Sequence, residues 1–179
     1  GLVMNDGNGG NNYAISYVAD STGIITAAPL TVTAQTDNRV YNGTTGSAVA
    51  PVVTGTTYDG VGTAATQTYD NKNVGTGKTL SASGLVMNDG NGGNNYAISY
   101  VADNTGIITP APLVIAANDA SKSFGAPNPP FTATYTGFVG GETASVLGGM
   151  LSFLTAAGMT SPPGNYAITP YGQTSSNYA

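Results

Sequence analysis

The first 26 residues, Gly1 to Thr26 (GLVMNDGNGGNNYAISYVADSTGIIT), recur 83 residues later at Gly84 to Thr109 with a single change, Ser21 to Asn104. Self-similarity at that spacing commits the chain to tandem modules, each about the size of the smallest domains that fold alone. Beyond the repeat the match weakens but keeps its spacing: Pro29 with Pro112, Leu30 with Leu113, Val32 with Ile115, Ala34 with Ala117, Arg39 with Lys122 and Tyr41 with Phe124. Near the far end Asn177-Tyr178-Ala179 answers Asn95-Tyr96-Ala97 at an offset of 82. The expected map is the tail of one module over residues 1–26, a whole module over 27–109, and a module over 110–179 that stops inside its last strand.

Alternation sets the element type. Tyr13, Ile15 and Tyr17 alternate with Ala14 and Ser16, Leu30 and Val32 with Thr31 and Thr33, and Phe131, Ala133 and Tyr135 with Thr132, Thr134 and Thr136. Period two with Thr outward predicts half-buried strands. Asp6-Gly7, Asn42-Gly43, Asp59-Gly60 and Asp89-Gly90 predict turns, and Pro29, Pro112, Pro129 and Pro130 interrupt ladders. One short helix is expected, over Glu142 to Leu147. The fold class is all-β: small β-sandwich or β-grasp-like modules in an elongated array.

Composition then excludes chemistries. There is no Cys and no His, so disulfides, thiolate nucleophiles, Cys-based zinc sites and the commonest general base are missing. The absence of Cys from an exported chain points towards bacteria. Four Lys and Arg against nine Asp and Glu give a formal charge of -5, the wrong sign for nucleic acid or anionic lipid. The longest apolar stretch, Val146 to Met159, is shorter than the roughly 20 residues a membrane helix needs, so no membrane insertion is expected.

Several motifs resemble sites. Gly75-Thr76-Gly77-Lys78-Thr79 ends like a phosphate-binding loop, but Lys72 stands where the first Gly belongs and no helix is expected to follow; a hairpin turn is the reading. Asn88 to Asn95, repeated at Asn5 to Asn12, gathers oxygen ligands and glycine as calcium loops do. Asp89, Asn91, Asp6 and Asn8 are the candidate calcium ligands, against a plain turn as the favoured reading, and no other cofactor is expected. The chain has one Glu, Glu142, and no paired carboxylates in an apolar pocket, so no catalytic residue is assigned and no enzyme is expected. Asn42-Gly43-Thr44 fits the N-glycosylation pattern. Lys72, Lys78 and Lys122 stand near many Asn, the combination needed for intramolecular isopeptide bonds. The 11 Tyr read as core and cross-strand packing before they read as a sugar platform.

Val40-Tyr41-Asn42-Gly43-Thr44-Thr45, then Tyr69 to Thr79 (YDNKNVGTGKT) and the closing Asn95-Tyr96-Ala97-Ile98, resemble the YDG domain, with Asn42 in place of the name-giving Asp. Ala117 to Pro129 (ANDASKSFGAPNP), then Tyr135-Thr136-Gly137-Phe138-Val139 and Asn177-Tyr178, resemble the MBG domain of the YGX type, with Phe124 in the Tyr position. The resemblance implies a secreted bacterial surface protein like the filamentous haemagglutinins, exported by two-partner secretion, or an autotransporter-like adhesin. The expected role is a structural stalk or filament segment whose partners are neighbouring copies of the same modules. Two alternatives stand beside it: a subunit that polymerises by β-strand addition through residues 1–26, and a weak adhesin binding host or matrix glycans or mucin through Tyr and Asn.

Overall fold

The computed structural model describes residues 2–179 and is all β apart from one 3-10 turn. The first module holds β1 (Ala28–Thr33), β2 (Asn38–Val40), β3 (Val52–Thr54), β4 (Gly60–Thr63), β5 (Thr66–Tyr69), β6 (Gly75–Ser83), β7 (Val86–Asn88), β8 (Tyr96–Val101) and β9 (Asp103–Thr109). The second holds β10 (Val114–Ala117), β11 (Ala133–Thr136), β12 (Gly148–Leu154) and β13 (Thr169–Thr174).

Two sheets build the first module. One has the order β3-β1-β8 and the other β2-β9-β6-β5, with β4 and β7 as a separate pair. The alternation in β1 drives Leu30 and Val32 inward, where they meet Leu80 of β6 and Ile108 of β9, all at most 1% exposed. Each such side chain contributes roughly 2 kcal/mol of burial. A buried amide closes the layer: the Gln67 side chain donates to Gln35 O at 2.8 Å and to Ser47 Oγ at 3.1 Å, and accepts from Gln35 N–H at 2.8 Å. No helix crosses these sheets, which favours the sandwich over the β-grasp form.

The second module repeats the opening of the first. The antiparallel β1–β3 pairing, Val32 opposite Val53, returns as β10–β11 with Ile115 opposite Tyr135. Ala28 N–H donates to Asn95 O at 2.9 Å; Ala111 N–H donates to Asn177 O at 3.0 Å. A glycine ends β3 and β11 alike. Gly55 has φ of +116° and Gly137 of +119°, and a Cβ there would lie 2.6 Å from Pro29 O and 2.3 Å from Pro112 O respectively. Only glycine allows that approach of chain to chain.

Three expectations change. Residues 2–26 form no strand although their copy at 84–109 forms β7, β8 and β9; β1 already has β3 on one edge and β8 on the other, so Tyr13–Tyr17 has no ladder to join. The segment Glu142 to Leu147 holds only a 3-10 turn, Ala144–Val146, flanked by extended residues Thr143 and Leu147. Gly60 opens β4 instead of closing a turn, whereas Gly7, Gly43 and Gly90 do adopt positive φ. No helix among the described residues is long and apolar enough to cross a membrane, which says nothing of a β-barrel.

Candidate functional site

The most organised cluster of polar side chains lies between the two modules and is centred on the only Glu in the chain. The Glu142 side chain, 12% exposed, is carried on the loop that follows Gly140 and Gly141. Its Oε1 accepts from Lys72 Nζ at 2.6 Å and from Tyr41 OH at 2.7 Å, and its Oε2 accepts from Tyr178 OH at 2.7 Å. Lys72 and Tyr41 belong to the first module; Glu142 and Tyr178 belong to the second. These donors, Lys72 first and then Tyr178 and Tyr41, hold the Glu142 carboxyl down at about 2. The tyrosines respond oppositely. Burial, reinforced by the neighbouring carboxylate, raises both Tyr41 and Tyr178.

Apolar contacts and backbone surround this polar centre. The Tyr41 ring meets the Tyr178 ring edge-to-face at 5.5 Å, and Tyr178 meets Phe138 likewise at 5.3 Å. Tyr41 is 1% exposed and Tyr178 6%. Asn177 Oδ1 accepts from Val74 N–H at 3.0 Å, and its amide donates to Asn73 Oδ1 at 3.2 Å. A Cβ on Gly43 would stand 3.4 Å from the Gly140 Cα. The two modules therefore touch through side chains, backbone and a charge pair, beyond their covalent link Pro110-Ala111-Pro112. A link with two prolines already restricts bending.

Neither candidate calcium loop turns its Asp outward. The Asp89 carboxylate accepts three backbone N–H groups, from Asn91 at 2.9 Å, Gly93 at 2.8 Å and Asn95 at 3.0 Å. Asp6 does the same with Asn8, Gly10 and Asn12 at 2.9, 2.8 and 3.2 Å. Those bonds lower the pKa of both carboxyls. Asn91 and Asn8 spend their side-chain amides on Asn95 and Asn12. The loop forms identically with flanking strands and without them, so it is a self-contained turn. No group of three His, Cys, Asp or Glu suited to a metal occurs among the described residues.

The remaining motifs separate. Gly75-Thr76-Gly77-Lys78-Thr79 lies at the start of β6, with Gly77 at φ +64° and no helix behind it. Lys78 is buried there, its Nζ 2.6 Å from Asn71 Oδ1 and 2.9 Å from Asp70 Oδ1. The Lys78 bond lowers the Asp70 pKa; an isopeptide bond to Asn71 would need a protonated carboxyl and a neutral amine at that point, and Asp70 is ionised. Tyr41, Tyr69, Tyr96 and Tyr178 are core residues, while Tyr58 and Tyr171 are exposed on different strands and loops.

Residues 26–105 match the family model of the YDG domain, and residues 113–179 match that of the MBG domain, YGX type. The chain is a YDG domain followed by an MBG domain. No curated protein and no solved structure matches it. Domains of both families are found in surface and adhesin-like proteins. In these terms Tyr41 and Lys72 are YDG residues, Glu142 and Tyr178 are MBG residues, and the junction is a YDG–MBG joint. In the sequence Tyr41 and Tyr178 stand out as family markers and Lys72 also as an isopeptide candidate, and no local pattern joins any of them to Glu142.

Proposed function

We propose that this chain is a structural segment of a secreted bacterial surface or matrix fibre, in which the YDG and MBG domains are locked end to end as a stalk. The observation that carries the reading is the Glu142 joint, where one carboxylate binds Lys72 and Tyr41 of one domain and Tyr178 of the other. A catalytic or ligand-binding role would leave such groups facing a cleft; here they are consumed by holding two domains together. Stability in such an array is the sum of module and neighbour-interface terms, so a specific interface stiffens and stabilises at once.

The test uses the absence of Cys. Spin labels at Ser83→Cys and Thr160→Cys, both exposed, report the distance between domains. A single narrow distance distribution that broadens in Glu142→Ala is expected; a distribution equally broad in both proteins would overturn the rigid joint.

A further inference from the structure

We propose that the YDG domain is a tension clamp, its first and last arms lying side by side in parallel so that a pull along the array shears them instead of peeling them apart. This deepens the stalk reading and rests on it. Among the described residues only two strand ladders are parallel, β1 with β8 and β2 with β9; the others are antiparallel. Both parallel ladders join the same two arms. The chain enters the domain along β1, crosses to the second sheet over residues 34–37 and continues as β2; it leaves along β8, crosses at Ala102 and continues as β9.

The arms therefore stay together through both sheets. Ala28 to Thr33 lie opposite Tyr96 to Val101, and Asn38 to Val40 opposite Ile107 to Thr109. Backbone bonds extend the seam at its two ends, Ala28 N–H to Asn95 O at 2.9 Å and Tyr41 N–H to Thr109 O at 2.8 Å. Two more guard the crossing, Ala34 N–H to Val101 O at 2.8 Å and Ile107 N–H to Asp37 O at 3.1 Å. Side chains fasten the same seam. The Thr31 and Ser99 hydroxyls are 3.2 Å apart, the Thr36 hydroxyl donates to Asp103 Oδ2 at 3.2 Å, and the Thr109 hydroxyl donates to Arg39 O at 3.3 Å. Leu30, Val32 and Ile108, on the same arms, are at most 1% exposed, so neither arm slides without uncovering core.

The direction of load follows from the connectivity. In a tandem array tension reaches the domain just before β1 and leaves it just after β9, at opposite ends of the paired arms. A net contribution of about 1 kcal/mol per hydrogen bond makes each rung weak alone. Parallel arms pulled from opposite ends load every rung at once; antiparallel arms would be pulled from one end and lose their rungs singly. Tyr41, whose N–H makes the last rung, also donates its hydroxyl to Glu142, so tension leaving β9 passes into the MBG domain through the joint as well as through the link. The MBG domain opens in the same way, with Ala111 in a parallel bridge to Tyr178.

The absence of Cys allows two pulling directions to be compared on the full chain. Ala27→Cys with Pro110→Cys pulls along the arms, and Ala27→Cys with Asn94→Cys pulls them apart from one end; all three positions are exposed. Single-molecule force spectroscopy at one pulling speed reads the unfolding barrier along each direction. The unfolding force of the first pair is expected to exceed that of the second by a factor of about two or more, since the rungs share the load in one and break in turn in the other. A smaller ratio, or the reverse order, would overturn the clamp. The interdomain distance distribution of the spin-labelled protein does not depend on that ratio, so the clamp and the rigid joint fail separately.

Discussion

Replacing Glu142 by Gln removes the charge at the joint and keeps the shape. A carboxyl whose pKa falls from 4.5 to about 2 on folding contributes roughly 3 kcal/mol at pH 7. The Lys72 side chain is 44% exposed, and solvent screening of that half of the interaction brings the expected loss to about 2 kcal/mol. The sign follows from the protons. Between pH 4.5 and 2 the unfolded chain holds a proton on Glu142 that the folded chain does not, so the contribution is complete above about pH 5 and fades as the pH falls through that window. Urea unfolding of both proteins, followed by circular dichroism from pH 7 to pH 2, measures the difference directly. Wild type and Glu142→Gln should differ by about 2 kcal/mol at pH 7 and converge towards pH 2. Other acids, Asp70 and Asp103 among them, also carry lowered pKa values, but they titrate in both proteins and cancel. A difference that is absent at pH 7, or that does not shrink on acidification, would refute the assignment of Glu142 as the charged centre of the joint.

Gly137→Ala would place a Cβ 2.3 Å from Pro112 O at φ of +119°; a loss of about 3 kcal/mol in the MBG domain is expected by urea unfolding. Gln67→Met keeps the volume but leaves Gln35 N–H and O without their partners, and a loss of roughly 2 to 4 kcal/mol is expected from the same assay. Calcium at millimolar concentration is expected to release no heat in titration and leave the melting midpoint unchanged, because Asp89 and Asp6 already accept three backbone N–H groups each. The intact mass is expected to show no loss of ammonia at Lys78, since Asp70 beside it is held ionised.

Much of the fold could be read from alternation and glycine. Leu30 and Val32 declared β1, and the turns at Asn42-Gly43 and Asp89-Gly90 followed from the residues that tolerate positive φ. The failure at Tyr13–Tyr17 has a different character: its sequence is that of β8, and the structure differs because a strand is defined by its partner. Periodicity reports what a segment is able to do; the free edge decides whether it does so. Glu142 was illegible for a related reason. Its three donors come from positions 41, 72 and 178, and no local pattern joins them. The available signal was scarcity: a single Glu beside a glycine pair, in a chain with only four Lys and Arg.

The two domains also show how one local device serves two purposes. In the YDG domain Tyr96 OH donates to Asp59 Oδ2 at 2.9 Å and accepts from Tyr58 N–H at 2.8 Å. In the MBG domain Tyr178, the residue matched to Tyr96, donates to Glu142 Oε2 at 2.7 Å and accepts from Val139 N–H at 3.2 Å. The tyrosine lies in each case beside the alanine that precedes a matched proline, Ala28 before Pro29 and Ala111 before Pro112, and in each case a carboxylate from the loop after Gly55 or Gly137 accepts its hydrogen bond. Asp59 stops there. Glu142 also meets Tyr41 and Lys72 of the neighbouring domain with its other oxygen. A lock that closes one module thus becomes a joint between two when the carboxylate reaches a neighbour that offers donors.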